Sequence, residues 1–183
     1  MKYECQAEIE VNQPPSSVFS WLFIPQHMKT WIVNVGEIKW ITEEEPRIGS
    51  RFQIDSFVSR QAVEYIGEFA VFEQSSKIEK KFRLGGIQAG GWVPVVTKGI
   101  EYERLVSYTL TPTKIGTRLI CKTSTNIPEM ASNVARISQK VEQQHLTQSL
   151  KRLKEVVKLG KFSSMQKLWF SLMVDNNYTF SPL

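Results

Sequence analysis

The chain has 183 residues, of which 42% are hydrophobic and 22% are charged, and its formal net charge is +5. This length suffices for one domain with a sizeable core, and the composition is that of an ordinary globular protein. No apolar run approaches the roughly 18 residues that a transmembrane helix needs, and the first residues alternate like a strand instead of forming a signal peptide. A cytoplasmic location is therefore expected.

The N-terminal part of the chain is predicted to form one strand and two short helices. Apolar and polar side chains alternate from Lys2 to Val11, which is typical of a strand with one buried face. Pro14 and Pro15 end this strand and begin a short helix, because proline is well suited to the first helical turn. Pro25 begins a second short helix in the same way. Neither helix is long enough to be stable alone, so both must pack on the rest of the domain.

Residues 33–127 are predicted to be strands and turns. The predicted strands cover about 35–42, a segment that begins near 49, then 61–73, 77–84, 99–111 and 117–125. The break GGIQAGGWVPVV, with Trp92 at its centre, is interpreted as a flexible loop, since it lacks the Lys-Ser/Thr that a phosphate-binding loop needs. Short strands that follow one another through turns favour an antiparallel meander.

The stretch from Pro128 to Gly160 is predicted to be one long helix, because proline suits a helix start and glycine the position after its end. Its apolar stripe changes side between Val141 and Leu146, as expected if the helix first covers an opening and then packs on a sheet. The opposite face is basic. We interpret it as a solvated surface, with a site for an acidic partner or an anionic membrane as the alternative.

The order of these elements resembles a known family. The segments VNQPPSSVFSWLFIPQHMKTWI, PRIGSRF, YTLTPTKIGTRL and LKRLKEVV resemble the START-like, polyketide cyclase and lipid-transfer (SRPBCC) superfamily, which includes the major birch pollen allergen. The resemblance covers about residues 1–160. It implies an α+β helix-grip fold, in which a curved antiparallel sheet of about seven strands wraps around a long C-terminal helix, with two short helices after the first strand.

Residues 161–183 form an extension that this family pattern does not require. Ser163 and Gln166 have the spacing of a helix-capping box, and Met165, Leu168 and Trp169 begin an apolar stripe at helical spacing. The extension is therefore predicted to contain a short amphipathic helix that buries Trp169. This helix packs on its own domain, or forms a homodimer contact, or acts as a lid on the cavity.

The sequence contains no motif that points to catalysis, a cofactor or nucleic-acid binding. Cys5, Cys121, His27 and His145 are too scattered for a metal site, and both cysteines are interpreted as small buried hydrophobic residues. We therefore predict no catalytic residue, no metal, no cofactor and no nucleic-acid partner.

A ligand cavity is predicted between the long helix and the sheet. Aromatic residues in the buried phase of successive strands, with helix residues opposite them, would form its apolar wall. Arg104 and His145 fall in the inward phase and would bind a polar group of the ligand, with a bulge that turns Arg104 outward as the alternative. The predicted ligand-binding residues are Phe52, Tyr65, Phe69, Phe82, Trp92, Tyr102, Arg104, Tyr108, Val134, Ile137, Val141 and His145.

Three functions are compatible with this reading. The preferred one is binding or transport of a small hydrophobic ligand, which could be lipid-like, aromatic or isoprenoid. The resemblance also allows an enzyme of the polyketide cyclase or aromatase type, and an interaction module of the co-chaperone or ribosome-associated type. Because no acid-base pair is visible, the sequence favours binding over catalysis.

Overall fold

A computed structural model describes residues 2–42, 46–58, 61–87, 103–126 and 132–160, with side chains described for all of these except 58, 61, 62, 85–87 and 132–136. Seven strands and three α-helices lie in these ranges, with a 3-10 turn at Ser20–Leu22. Their bounds are β1 Lys2–Val11, α1 Pro15–Phe19, α2 Pro25–Trp31, β2 Val35–Trp40, β3 Arg51–Val58, β4 Gln61–Glu73, β5 Lys77–Ile87, β6 Glu103–Thr113, β7 Gly116–Asn126 and α3 Ser132–Leu159.

The strands form one antiparallel sheet in the order β1-β7-β6-β5-β4-β3-β2, with α3 packed across it. The strands β2 to β7 each pair with the next strand along the chain, as in a meander, and β1 is added beside β7. The predicted α+β helix-grip fold is therefore confirmed. The strands β1 and β2 are the two edges, and β5 is the middle strand.

One row of inner-face residues crosses the whole sheet. The row passes from β1 to β2 through Tyr3, Thr125, Arg104, Phe82, Gly67, Phe52 and Trp40. Glycine is required in this row, because a Cβ at position 67 would lie 2.3 Å from Cζ of Phe52. The ring of Phe52 therefore lies directly over β4, and the row changes from polar at β1 to aromatic at β2.

A bulge in β4 corrects one detail of the predicted alternation. The register shifts between Phe69, which pairs with Lys80, and Val71, which pairs with Glu79. The inserted residue moves Phe72 to the inner face, where it packs on Phe69 and Phe19. Strict alternation from Phe69 would instead have placed Val71 on the inner face.

The two halves of α3 pack differently on the sheet. In the C-terminal half the buried residues are apolar with the exception of Ser149: Leu146, Leu150, Leu153, Val156 and Val157. In the N-terminal half, Glu142 and His145 face the domain, whereas Ile137 is 67% and Val141 is 40% exposed. Ile137 and Val141, which are predicted to line the cavity, are therefore not part of the buried core, because Glu142 and His145 are the residues of this half that face the domain.

Glutamines of α3 cover the free edge of β1. The side-chain amide of Gln143 accepts a hydrogen bond from the backbone N–H of Gln6 (3.2 Å) and donates one to its carbonyl (2.9 Å). Gln139 donates to the carbonyl of Glu4 at 3.0 Å. An uncovered edge strand invites pairing with another chain, so these amides also protect the sheet.

The segment Pro15–Trp31, here called the helical cover, closes one end of the core. Proline begins both of its α-helices, as predicted. Trp31 is 1% exposed, and its indole N–H donates to the carbonyl of Trp21 at 2.9 Å. Phe19 and Phe23 form edge contacts with Phe72, so the cover and the sheet share one aromatic core.

The remaining predictions have separate outcomes. Cys5 and Cys121 are free and buried, as predicted. The lysines on the outer face of α3, which include Lys140, Lys151 and Lys154, are exposed.

The division at residue 160 and the amphipathic helix of residues 161–183 stay predictions, because that extension lies outside the described residues. Within the described ranges, no helix is long and apolar enough to span a membrane.

Candidate functional site

A buried carboxylate organises the inner face beneath the N-terminal half of α3. Glu142 accepts hydrogen bonds from the hydroxyls of Tyr3 (2.9 Å) and Thr125 (3.2 Å), and also from Thr123. It forms an ion pair with Nη2 of Arg104 at 3.1 Å. These five residues, here called the Glu142 cluster, join α3 to β1, β6 and β7. The side chain of Glu142 is only 11% exposed, so the four donors replace the water that a carboxylate would otherwise require.

Arg104 points to the inner face, so the alternative of an outward bulge does not occur. It pairs in register with Thr125 on one side and with Phe82 on the other. Its side chain is 32% exposed, whereas Glu142 is almost enclosed. The Arg104 side chain is therefore partly accessible to a small molecule, although its Nε is buried.

His145 lies on α3 next to an unusual residue. Asn34 has φ of 57°, a left-handed conformation that is uncommon outside glycine. Its carbonyl accepts hydrogen bonds from the N–H of Phe57 (2.8 Å) and the hydroxyl of Ser56 (3.0 Å), and its amide lies 3.0 Å from Nε2 of His145. The bonds to the Asn34 carbonyl hold this strained backbone in place, and the Asn34 amide orients the imidazole of His145. Strained backbone conformations are concentrated at functional sites.

The electrostatics keep His145 neutral near pH 7. Burial lowers the pKa of its imidazole, the positive charge of Arg104 lowers it further, and Glu142 opposes both. Burial also raises the pKa of the Tyr65 phenol, with Arg104 acting in the opposite direction. His145 and Tyr65 therefore act as neutral hydrogen-bonding groups near the Arg104–Glu142 pair.

In the described part of the chain, the inner-face side chains are only partly enclosed where these groups meet. Tyr65, Phe82, Leu84 and Arg104, here called the half-buried patch, lie on the adjacent strands β4, β5 and β6 and are each only partly buried. Inner-face residues farther along the same strands are enclosed: Phe69 and Ile78 are 0% exposed, and Val106 is 5% exposed. Among the described residues, the inner-face side chains are therefore partly accessible at this end of the sheet and enclosed at the other.

The predicted ligand-binding residues fall into four groups. Tyr65, Phe82, Arg104 and His145 lie in or beside the half-buried patch. Phe52, Phe69 and Tyr108 are buried in the core, where Phe52 and Phe69 pack on each other at 5.4 Å between ring centroids. Ile137 and Val141 are exposed on α3. Val134 is in α3 with its side chain outside the description, and Trp92 and Tyr102 lie outside the described residues.

The acceptor at the centre of the site, Glu142, was not predicted from the sequence. Glu142 precedes Leu146 by four residues and Leu153 by eleven, so it lies in phase with the buried stripe of α3. A carboxylate in that phase indicates an interior partner, and Thr123 and Thr125 lie in the inward phase of β7. Lys80 was missed in the same way, since it shares the inward phase of Ile78 and Phe82 and is 1% exposed.

The described residues also bear on a metal site and on a surface depression. Within the part of the chain that the structure describes, no group of three or more His, Cys, Asp or Glu side chains could hold a metal ion. A depression of about 300 Å³ lies on α3, lined by Gln143, Gln144, Thr147, Gln148 and Lys151. None of its lining residues belongs to the half-buried patch.

The fold is shared with several solved structures at low sequence identity. TTHA0849 from Thermus thermophilus has a TM-score of 0.66 and 18% identity over 87% of this chain and 100% of its own. A conserved protein from Geobacillus kaustophilus has a TM-score of 0.66 and 15% identity, covering 85% and 95% of the two chains. Ara h 8.0201 has a TM-score of 0.62 and 11% identity, covering 86% and 98%. These similarities concern the fold alone.

No curated protein matches the sequence. One family model matches residues 12–158, which are most of the chain, and it is described as Activator of Hsp90 ATPase homolog 1-like protein. With the solved structures, this match confirms the resemblance to the START-like superfamily that the sequence motifs indicated. The chain therefore belongs to the Activator of Hsp90 ATPase homolog 1-like protein family.

Proposed function

We propose that this protein binds a small, largely apolar molecule with one polar head group at the half-buried patch. The observation that supports the proposal is the change in burial along the inner face. The side chains of Phe69 and Ile78 are enclosed, whereas Phe82 and Arg104, at the other end of the inner face on β5 and β6, are partly accessible. An incompletely covered inner face with apolar walls and a few convergent polar groups is typical of a small-molecule site.

The row across the sheet suggests how such a ligand is oriented. From Arg104 the row continues through Phe82 towards Phe52 and Trp40, so a polar contact on β6 lies beside an aromatic surface on β5 and β3. A ligand would place its head group near Arg104 and its apolar body over Phe82 and Leu84. Ile137 and Val141, exposed on α3, are proposed to form the rim of this opening.

The head group is proposed to be a hydrogen-bond acceptor, such as a carboxylate or a carbonyl oxygen. The guanidinium of Arg104 can only donate, and a guanidinium suits planar acceptors. Because Glu142 already balances the charge of Arg104, the site does not demand a full negative charge on the ligand. The cyclase-type enzyme and the co-chaperone-type interaction module stay predictions beside this proposal.

The location of the site is tested by filling it. We expect Leu84→Trp to weaken binding of the fluorescent fatty acid 11-(dansylamino)undecanoic acid by about tenfold or more, because the indole would occupy the accessible space. Ile66→Trp is the matched control, since Ile66 pairs with Arg83 on the opposite face of the sheet. Fluorescence titration measures both affinities. Equal affinities for wild type and Leu84→Trp, with unchanged thermal unfolding, would contradict the proposed site.

The role of the guanidinium is tested by removing its charge. We expect Arg104→Met to weaken binding of the same acid by about 1–3 kcal/mol, because a hydrogen bond to a charged group is lost while the alkyl stem remains. Glu142 would keep its three hydroxyl donors but lose its counter-charge, so thermal unfolding is measured to confirm that the variant is folded at the titration temperature. Lys81→Met removes one charge from the exposed side of β5 and should leave the affinity unchanged. An equal loss in the two variants would reduce the role of Arg104 to a general charge effect.

A further inference from the structure

Lys80 is a lysine enclosed in the aromatic core. It lies on β5, the middle strand of the sheet, and pairs in register with Phe69 on β4 and Val106 on β6. The residue is 1% exposed, among the largest fully buried side chains of the molecule. Lysine is almost never fully buried unless its ammonium has a charged partner.

The groups around the Lys80 amine are neutral. Its Nζ donates to the carbonyl of Leu22 at 2.5 Å and lies 3.4 Å from the sulfur of Met28, both in the helical cover. The rings of Phe52, Phe69 and Tyr108 surround it, with centroids 5.3–5.6 Å away. Ring faces and a carbonyl attract a cation, but they offset only part of the cost of removing it from water.

The titratable neighbours do not supply a counter-charge. Burial raises the pKa of the Tyr108 phenol on β6 well above its usual value, and it raises the pKa of the Cys121 thiol on β7 to about 12. Both are therefore uncharged near neutral pH, and β3 and β4 contribute only the rings of Phe52 and Phe69. Burial accordingly lowers the pKa of the Lys80 amine to about 7.

The helical cover is the element that can move away from Lys80. The strand β5 is paired on both sides and cannot shift without breaking the centre of the sheet. The cover consists of an α-helix of five residues, a 3-10 turn of three and an α-helix of seven, each too short to be stable alone. Displacing the end of the 3-10 turn at Leu22 would bring water to the amine.

We propose that Lys80 is a proton-controlled latch, in which the helical cover closes over the neutral amine and opens locally when the amine is protonated. The neutral amine still donates to the carbonyl of Leu22, so closure keeps its hydrogen bond without a buried charge. Protonation introduces a cation that is stabilised by hydration, and only the open state hydrates it. Acidification would thus expose the inner surface behind the cover, in the absence of any ligand.

Hydrogen–deuterium exchange with mass spectrometry tests the latch on the full chain. We expect amides of residues 17–31 to be less protected than the slowest amides of β6 and β7, because they exchange by local opening. After correction for intrinsic rates, their protection should rise by about tenfold or more from pH 6.5 to 8.5, since opening takes up a proton. In Lys80→Met this pH dependence should disappear, whereas the exposed control Lys81→Met should retain it.

Two results would overturn the latch. One is equal protection of the cover and of the slowest sheet amides at every pH, since exchange would then require global unfolding. The other is the same pH dependence in Lys80→Met and wild type. Should Lys80→Met fail to fold, Lys80→Gln replaces it, because glutamine keeps a donor towards Leu22 without a charge that titrates.

Discussion

Replacing Glu142 with alanine is expected to lower the free energy of unfolding by about 3 kcal/mol, near the lower limit for breaking a buried ion pair. The lower limit applies because Arg104 is 32% exposed and can recover part of its hydration. The hydroxyls of Tyr3, Thr123 and Thr125 would also lose their common acceptor. The N-terminal half of α3 would then lose its main contact with β6 and β7.

Urea unfolding followed by circular dichroism measures this loss. Glu155→Ala is the matched control, since Glu155 lies on the same helix and is exposed. The same substitution in the same helix corrects for the higher helix propensity of alanine. Exposed substitutions usually change the free energy of unfolding by no more than about 0.5 kcal/mol. If both variants had free energies of unfolding within that range of the wild type, Glu142 would have no anchoring role.

The stability of the wild type is expected to rise by about 2–3 kcal/mol between pH 7 and pH 9, because of Lys80. Its amine has a pKa of about 7 in the folded protein and an ordinary value of 10.5 when exposed. Between those values the unfolded chain binds more protons than the folded one, so raising the pH favours folding by about 1.4 kcal/mol per unit.

Other buried titratable groups confine this rise in stability to the range from about pH 7 to pH 9. The Cys121 thiol has a raised pKa of about 12 in the fold against an ordinary 9.0, so above pH 9 the folded protein retains a proton that the unfolded chain loses. Its effect opposes that of Lys80 above pH 9, where stability should level off. The pKa of His145 is lower in the fold than its ordinary value of 6.5. Its contribution to the rise in stability with pH is therefore complete above pH 6.5.

Lys80→Met tests the assignment of this pH dependence. We expect the variant to lose the rise between pH 7 and 9 and to exceed the wild type in stability by about 1–4 kcal/mol at pH 6.5, where the protonated amine of the wild type opposes closure of the helical cover. Chemical unfolding at several pH values measures both effects, with Lys81→Met as the control. A wild-type profile that is flat from pH 7 to 9 would show that the Lys80 amine is not neutralised in the fold.

Local patterns in the sequence were sufficient to predict the elements of the described residues. Alternation in β1, β6 and β7 and the prolines before α1 and α2 are signals within a few residues of the structure they predict. The structure confirms the predicted order of strands and helices, because each of these elements is specified by such local signals. The bulge in β4 was not predicted, because an inserted residue is determined by the fit of Phe72 against Phe19 and Phe23, which are distant in sequence.

The candidate site was predicted only in part. Arg104 could be identified because it continues the inward phase of Val106 and Tyr108, whereas His145 was placed inward by its phase with Ile137 and Val141, which are exposed. Their partners could not be identified in the same way. Asn34 meets His145 across 111 residues, and Tyr3 meets Glu142 across 139. Such contacts depend on how β1, α2 and α3 are placed in the fold.

Local periodicity in the amino-acid sequence specifies which faces of the strands and helices are apolar. Whether a polar residue in such a face has its charge balanced depends on contacts between elements that are distant in sequence. Glu142 and Lys80 both lie in inward phases, yet Glu142 meets an arginine and three hydroxyls, whereas Lys80 meets a carbonyl, a thioether and aromatic rings. The physical reason is that the free energy of a buried charge depends on the atoms that replace its water, and those atoms come from other strands and helices.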